Sequence, residues 1–316
     1  MNLSRRTFGT QLVTGTAGVM LAACAGTDAS SPAPSKRAIV LVHGSWFGAW
    51  CWISLVPLLT AKGLTTVVLD LPGHGTSAQF PASFSVRPLD FQAFATEPSP
   101  VASITLNDYV SKITASVNGL VAGGYGPITL LGHSMGGIPI TTAAEAMPSS
   151  IAKLIYLSAF MPVTSSPAGA YFGTPQGMQS NLPSLFLADQ SVIGGLRLDS
   201  ASTDPTYIEA LRAVFCSDAT DVAFAAARHL MTPDDPAQTF GTPTGATVTR
   251  WGSVKRAYIG CTQDNAVTPD LQKLFISEAD QLTASQPTDF RPFDSSHSPF
   301  LSRPEALADL IAELAA

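Results

Sequence analysis

Gly132-His133-Ser134-Met135-Gly136 is the stretch of this chain whose residue types and spacing best suit covalent chemistry. The pattern G-x-S-x-G fits a serine on a tight strand-to-helix turn. There the hydroxyl stands above a sheet, and any side chain at the flanking glycines would collide. At background Gly and Ser frequencies of roughly 7% each, about 0.1 such matches arise by chance in a chain this long. Context carries the reading: an apolar strand over 127–131 runs into the motif, and an Ala-rich helix over 138–146 runs out of it.

A serine hydroxyl is a poor nucleophile near neutral pH and needs an adjacent base. Behind such a turn the partners follow in the order Ser, acid, His. Of five histidines, only His229 and His297 come after Ser134. His297 falls in the polar loop Asp294-Ser295-Ser296-His297-Ser298, between the last expected strand and the last helix. Parallel sheets gather their sites in such loops, so His297 is the expected base. His229 falls inside a helix-like segment with no strand before it and is expected at most to touch substrate. His43, His74 and His133 precede or abut the serine and read as structural neighbours.

Asp264, just after the expected strand 256–261, is the expected acid, because a carboxylate on the preceding strand can reach across to the imidazole. Asp289 and Asp294, on the strand and loop of His297 itself, are the alternatives. The negative charge of a tetrahedral intermediate needs two backbone N–H donors. Those are Met135, after the nucleophile, and Ser45 in His43-Gly44-Ser45-Trp46. Trp46, with Phe47, Trp50 and Trp52, is placed to line an acyl pocket; Trp50 and Trp52 read equally well as core. No C-x-x-C or His/Cys spacing suggests a metal site, and no cofactor is expected.

Elements that can position these residues are legible as short β-branched runs alternating with amphipathic segments, an α/β class with a mostly parallel sheet flanked by helices. Strands are expected at 38–43, 65–70, 128–132, 153–158, 256–261 and Asp289–Phe293. Helices are expected at 50–61, 135–147 and Pro269–Leu282. Another should run to Ala122 from the capping box Thr105-Leu106-Asn107-Asp108, and a last one from a second box, Ser302-Arg303-Pro304-Glu305. Residues 76–103 lack a period and read as a surface excursion. Residues 160–251 break the alternation with helix-like pieces at 207–215 and Asp221–Leu230. That segment is too long for a bare loop, so it is expected to form a helical cap inserted between core segments 38–159 and 252–316.

The 316 residues are 46% hydrophobic and 13% charged, enough to bury a sizeable core and against extensive disorder. The net charge is −6 and there is no dense Lys/Arg run. Both count against nucleic acid as a partner and mildly against polyanionic ligands; small neutral, apolar molecules fit better. Residues 1–23 carry Ser4-Arg5-Arg6-Thr7-Phe8, a twin-arginine export signature, before a weakly apolar stretch. Leu21-Ala22-Ala23-Cys24 resembles a lipobox, with Cys24 lipidated and 24–37 a flexible tether. The expectation is a periplasmic or membrane-anchored lipoprotein touching membrane only through that anchor. Cys51, Cys216 and Cys261 then allow one disulfide at most. Oligomeric state is not readable.

A specific resemblance follows. The run from His43 through Trp52, Leu55-Val56-Pro57-Leu58-Leu59, Val68 through Gly75, and Ala257-Tyr258-Ile259-Gly260-Cys261-Thr262-Gln263-Asp264 resembles one group of α/β-hydrolases. This group includes plant methylesterases such as methyl salicylate esterase, hydroxynitrile lyases and bacterial pyrethroid-type esterases. Phe215-Cys216-Ser217-Asp218, through to Ala226-Ala227-Arg228, is similar to its bacterial members. The resemblance runs from about Ala38 to the end and is weakest over 76–103. It implies the α/β-hydrolase fold, a Ser134–Asp264–His297 triad and oxyanion donors at Ser45 and Met135; substrate size is not inherited from it, and the expected activity is hydrolysis of small to medium apolar esters through an acyl-enzyme. The lyases of the group carry Lys after the catalytic His and Thr after the strand-end His. Here Ser298 and Gly44 stand there, which favours ester hydrolysis over cyanohydrin cleavage. A lyase or other hydrolase with the same triad, and a ligand-binding protein without chemistry, are the alternatives.

Overall fold

The computed structural model describes residues 36–316. The expected signal segment, Cys24 and most of the expected tether lie outside the described residues.

Among the described residues eight strands occur: β1 Ala38–Val42, β2 Thr65–Leu69, β3 Ile128–His133, β4 Ile151–Leu157, β5 Gly195–Arg197, β6 Asp234–Pro236, β7 Lys255–Cys261 and β8 Asp289–Phe293. Six of them form one sheet in the order β2-β1-β3-β4-β7-β8. Every pairing in it is parallel, so all the strands end at the same edge of the molecule. β1 (AIVLV) and β3 (ITLLGH) are buried along their whole length. Continuous apolar runs of this kind belong to parallel strands with helices on both faces. The edge strands β2 and β8 are partly exposed.

The helices follow their local signals with two exceptions. The Thr105 hydroxyl accepts the Asp108 N–H and the Asp108 carboxylate accepts the Thr105 N–H, closing the expected box at the start of helix Leu106–Ala122. The second expected box does not form. Ser302 ends a short helix, Pro299–Ser302, its hydroxyl lies against that of Ser295, and the last helix starts at Pro304 with Arg303 as an uncapped N-cap. Instead of one helix over 50–61, a 3-10 turn Ala49–Trp52 precedes an α-helix Leu55–Ala61. Pro57 has no N–H to give and is tolerated only near a first turn, which fixes the later start.

Between β4 and β7 the chain carries helices Gln190–Ile193, Pro205–Phe215, Asp221–Leu230 and Ala237–Gly241 together with an antiparallel pair, β5 and β6. Sequence reading missed that pair because three residues are too few to show a period. Buried Arg197 of β5 grips Asp234 of β6 with two hydrogen bonds, Nε–Oδ1 2.7 Å and Nη2–Oδ2 2.6 Å. The insertion is stitched to the loops beyond the sheet's C-terminal edge. Trp46 Nε1 donates to the Leu196 carbonyl (2.9 Å), the Thr232 N–H to the Trp46 carbonyl (2.9 Å), and Asn265 Nδ2 to the Ala213 carbonyl (2.9 Å). The stretch 76–103 is not bare loop: it holds a helix, Phe91–Thr96, and docks on the insertion where the Ser99 N–H meets the Ile193 carbonyl at 2.8 Å.

Candidate active site

β3 ends at His133, and the chain turns at once through Ser134–Gly136 into helix Gly137–Ala146. Ser134 has φ +53°, a left-handed conformation that costs a non-glycine residue on the order of 1 kcal/mol and is held only where its surroundings enforce it. They do so here by close approach. A Cβ at Gly132 would stand 2.5 Å from the Gly136 carbonyl oxygen, and one at Gly136 2.6 Å from that of His43. Both glycines of the motif are therefore demanded by backbone packing.

His297 sits in the loop after β8, and Asp264 follows β7, the neighbouring strand. His297 Nδ1 donates to Asp264 Oδ2 at 2.7 Å. The other oxygen, Asp264 Oδ1, accepts the N–H groups of Ala266 (2.8 Å) and Val267 (2.9 Å), which fixes the carboxylate in the loop. Asp289 and Asp294 lie exposed with other partners, Arg291 for the first and Gln263 for the second. With its proton on Nδ1, His297 presents Nε2 as an acceptor. That atom is buried and makes no hydrogen bond, to Ser134 or to any other group among the described residues.

His133 packs its ring on His297, centroids 4.6 Å apart, and its Nε2–H donates to the His297 carbonyl at 2.9 Å. Burial pushes the His133 pKa well down, so it stays a neutral brace. Burial likewise lowers His43 to about 3; its Nε2 accepts the Leu71 N–H at 3.1 Å. Both belong to the framework.

The loop after β1 passes directly beneath Ser134. A Cβ at Gly44 would lie 2.7 Å from Ser134 Cβ. The Ser45 N–H has no acceptor among the described residues, as a donor reserved for a ligand would. Met135, the other expected donor, is buried in the turn. Trp46 is left-handed (φ +62°) and buried against the rings of Phe186 and Phe215. Trp52 is wholly core and Trp50 half-buried. His229 is not brought to the site: it is exposed on helix Asp221–Leu230, with Nδ1 on the Ala225 carbonyl of its own helix. An amphipathic helix shows its polar face to solvent, and His229 is on that face.

Sequence reading missed two side chains around this centre. Asp218 accepts the Ser295 hydroxyl (2.7 Å), and the Ser296 hydroxyl and N–H, in the loop bearing His297. Asp235 accepts the Ser45 hydroxyl at 2.7 Å and lies 2.8 Å from His74 Nε2. No sequence signal marks Asp235: Asp234-Asp235 stands in a stretch of Thr, Pro and Gln that reads as an ordinary polar loop. Cys51, Cys216 and Cys261 are all buried and unbridged.

An apolar cavity of about 220 Å³ lies within the insertion, among Phe172, Pro183, Phe186, Leu196 and Phe240. Phe186 leans on Trp46, while Phe172 and Phe240 pack on Phe160, whose N–H donates to the Ser134 carbonyl at 3.0 Å. Its lining includes none of Ser134, Asp264 or His297; the rings of Trp46 and Phe160 stand between it and the turn-bearing segments.

Known proteins resemble this chain in sequence and in fold. Methylesterase 9 of Arabidopsis thaliana is 28% identical over 283 residues, covering 87% of this chain and 97% of that protein. Methyl jasmonate esterase 1 of Vitis vinifera is 26% identical, covering 88% and 97%. Among solved structures, a pyrethroid hydrolase from Sphingobium faniae JZ-2 has a TM-score of 0.67 at 26% identity, covering 88% of this chain and 97% of its own. Residues 39–310 match the profile of the alpha/beta hydrolase family. With a family match over most of its length and methylesterase-type relatives across nearly all of theirs, this chain belongs to the α/β-hydrolase family.

Proposed function

We propose that this protein is a serine carboxylesterase acting on small to medium apolar esters through an acyl-enzyme. The observation that carries the reading is the 2.7 Å bond from His297 Nδ1 to Asp264, which leaves buried Nε2 as a free base beside the Ser134 turn. Rotation of the Ser134 side chain on substrate binding closes the remaining gap; such bonds are often open before substrate arrives. Ser134 Oγ attacks the ester carbonyl carbon and gives its proton to Nε2. The carbonyl oxygen, now anionic, takes the N–H groups of Ser45 and Met135. Collapse expels the alcohol, which takes the proton back from Nε2, and water repeats both steps to release the acid. Asp264 holds the imidazole and its positive charge without taking the proton.

The apolar cavity beside Trp46 and Phe160 suits the hydrophobic part of such an ester. The names of the relatives, methylesterases and a pyrethroid hydrolase, agree with ester substrates. Gly44 has no hydroxyl where the lyases carry Thr, and Ser298 has no ammonium where they carry Lys, which favours ester hydrolysis over cyanohydrin cleavage. Export by the twin-arginine route and lipidation at Cys24 complete the proposal.

The test is covalent labelling of the purified protein with a fluorophosphonate, located by peptide mass spectrometry, beside burst kinetics on an activated ester. Label on Ser134, and loss of turnover by several orders of magnitude in Ser134→Ala, are expected. Turnover surviving in Ser134→Ala would remove the proposal.

A further inference from the structure

The loop that carries Ser45 is held from above. Three residues of the insertion hydrogen-bond to it: Ser45 Oγ donates to Asp235 Oδ2 (2.7 Å), Trp46 Nε1 to the Leu196 carbonyl (2.9 Å), and the Thr232 N–H (2.9 Å) and hydroxyl (3.4 Å) to the Trp46 carbonyl. Two of the three partners stand on the small antiparallel pair β5–β6, Leu196 on one strand and Asp235 on the other. Loop and pair are far apart in sequence, 150 residues between Trp46 and Leu196 and 190 between Ser45 and Asp235.

What these bonds hold is a conformation the loop does not prefer. Trp46 is left-handed at φ +62°, a region bulky side chains avoid. Asp235 is likewise costly to keep. Its side chain is wholly buried, and an isolated buried carboxylate loses several kcal/mol of solvation. Its neighbours are the Ser45 hydroxyl and His74 Nε2, the latter close enough for an ion pair but without hydrogen-bond alignment. His74 is in turn set by the Pro72 carbonyl (3.2 Å) and the Tyr109 hydroxyl (3.3 Å), both on the core side. A carboxylate is therefore clamped between the core and the insertion, and its one well-aligned hydrogen bond from a side chain comes from Ser45.

We propose that Asp235 is a positioning residue for the oxyanion hole: it fixes the Ser45 side chain and so aims the Ser45 N–H, making the docked insertion a required part of the catalytic machinery. This rests on the esterase reading above. A donor set by an adjoining hydrogen bond loses its aim, and not its existence, when the bond goes. The effect then falls on the charged intermediate more than on substrate binding.

Four proteins carry the test: wild type, Asp235→Ala, Asp235→Asn and Ser45→Ala. Asparagine keeps an oxygen acceptor for Ser45 and can donate its amide to His74. Asp235→Ala is expected to lower kcat about 10- to 100-fold with KM changed less than about 3-fold. Asp235→Asn should recover most of that loss. Affinity for a boronic acid, which forms a tetrahedral anionic adduct on serine, should fall in step with kcat/KM across the series. Affinity for the product acid should not. Ser45→Ala should match Asp235→Ala within a few-fold, and the double variant should add little more. If Asp235→Ala does not fold, Ser45→Ala and Asp235→Asn carry the comparison alone. Unchanged kcat and boronate affinity in Ser45→Ala, or a double variant whose losses simply multiply, would overturn the assignment. Should wild type itself show neither turnover nor boronate binding, the esterase reading fails first.

Discussion

A methyl group placed on Gly44 would stand 2.7 Å from the Cβ of Ser134, nearer than two carbon atoms can rest. Gly44 and Ser134 are thus one packing unit, and the glycine is chosen for space, not for turn geometry. Gly44→Ala and Gly44→Thr must displace the Ser134 turn. The expected loss in kcat/KM on an activated ester is about 100-fold for the threonine variant, the scale of a 1 Å misplacement. Steady-state kinetics alongside a thermal melt check this; a Thr variant with wild-type kinetics would mean the turn yields freely.

Asp218 ties the insertion to the loop of His297. Burial pushes its carboxyl up, but hydrogen bonds from Ser296 and Ser295 outweigh that and hold the pKa below the ordinary carboxylate value. A lowered folded-state pKa stabilises the fold above the unfolded value, near 3.9, and that contribution is lost as pH falls through the folded one. Denaturant unfolding from pH 6 down to pH 3 should show wild type losing stability at the acid end. Asp218→Asn should lose less over that window, having less to lose. Equal slopes for the two proteins would count against the tether.

Arg197 and Asp234 form a buried pair inside the insertion, and Arg197 also donates to the Glu97 carbonyl at 2.8 Å. Replacing one partner strands the other in a dry interior. Arg197→Met should cost about 3–5 kcal/mol, whereas the double change Arg197→Met with Asp234→Leu should recover part of it. Guanidinium unfolding midpoints give the comparison. A single variant as stable as wild type would show that Asp234 reaches water or a second partner.

How much of this was readable in the chain depends on the range of each interaction. The box of Thr105 and Asp108 spans three residues and forms as its spacing says. The box at Ser302 has equally good spacing, yet a hydroxyl from the preceding loop, Ser295, takes that serine away. Buried strands such as β1 and β3 announce themselves by unbroken apolar runs. β5 and β6 do not, since their pairing is made by Arg197 and Asp234 across 37 residues and not by pattern. The spacing that singles out Ser134, Asp264 and His297 rests on the order of loops in a parallel sheet, which is why Asp264 and His297 meet at 2.7 Å. Asp218 and Asp235 obey no such order: each crosses from the insertion to a loop 77 or 190 residues away.

The proposed anchor has a direct test. In a bacterial host that recognises the signal, Cys24→Ser should move the protein from the membrane fraction to the soluble periplasmic one. Replacing Arg5 and Arg6 by lysine should keep it in the cytoplasm. Membrane association that survives Cys24→Ser would remove lipidation at that residue.

Lys36 bridges Tyr125 just before β1 and β3 begin, so the chain enters the sheet at the ends of the strands remote from Ser134. β3 alone is six residues long, about 20 Å of separation between the point of arrival and Ser134. The described chain therefore starts on the side of the sheet away from the Ser134 hydroxyl, and the two ends of β3 divide arrival of the chain from the candidate site.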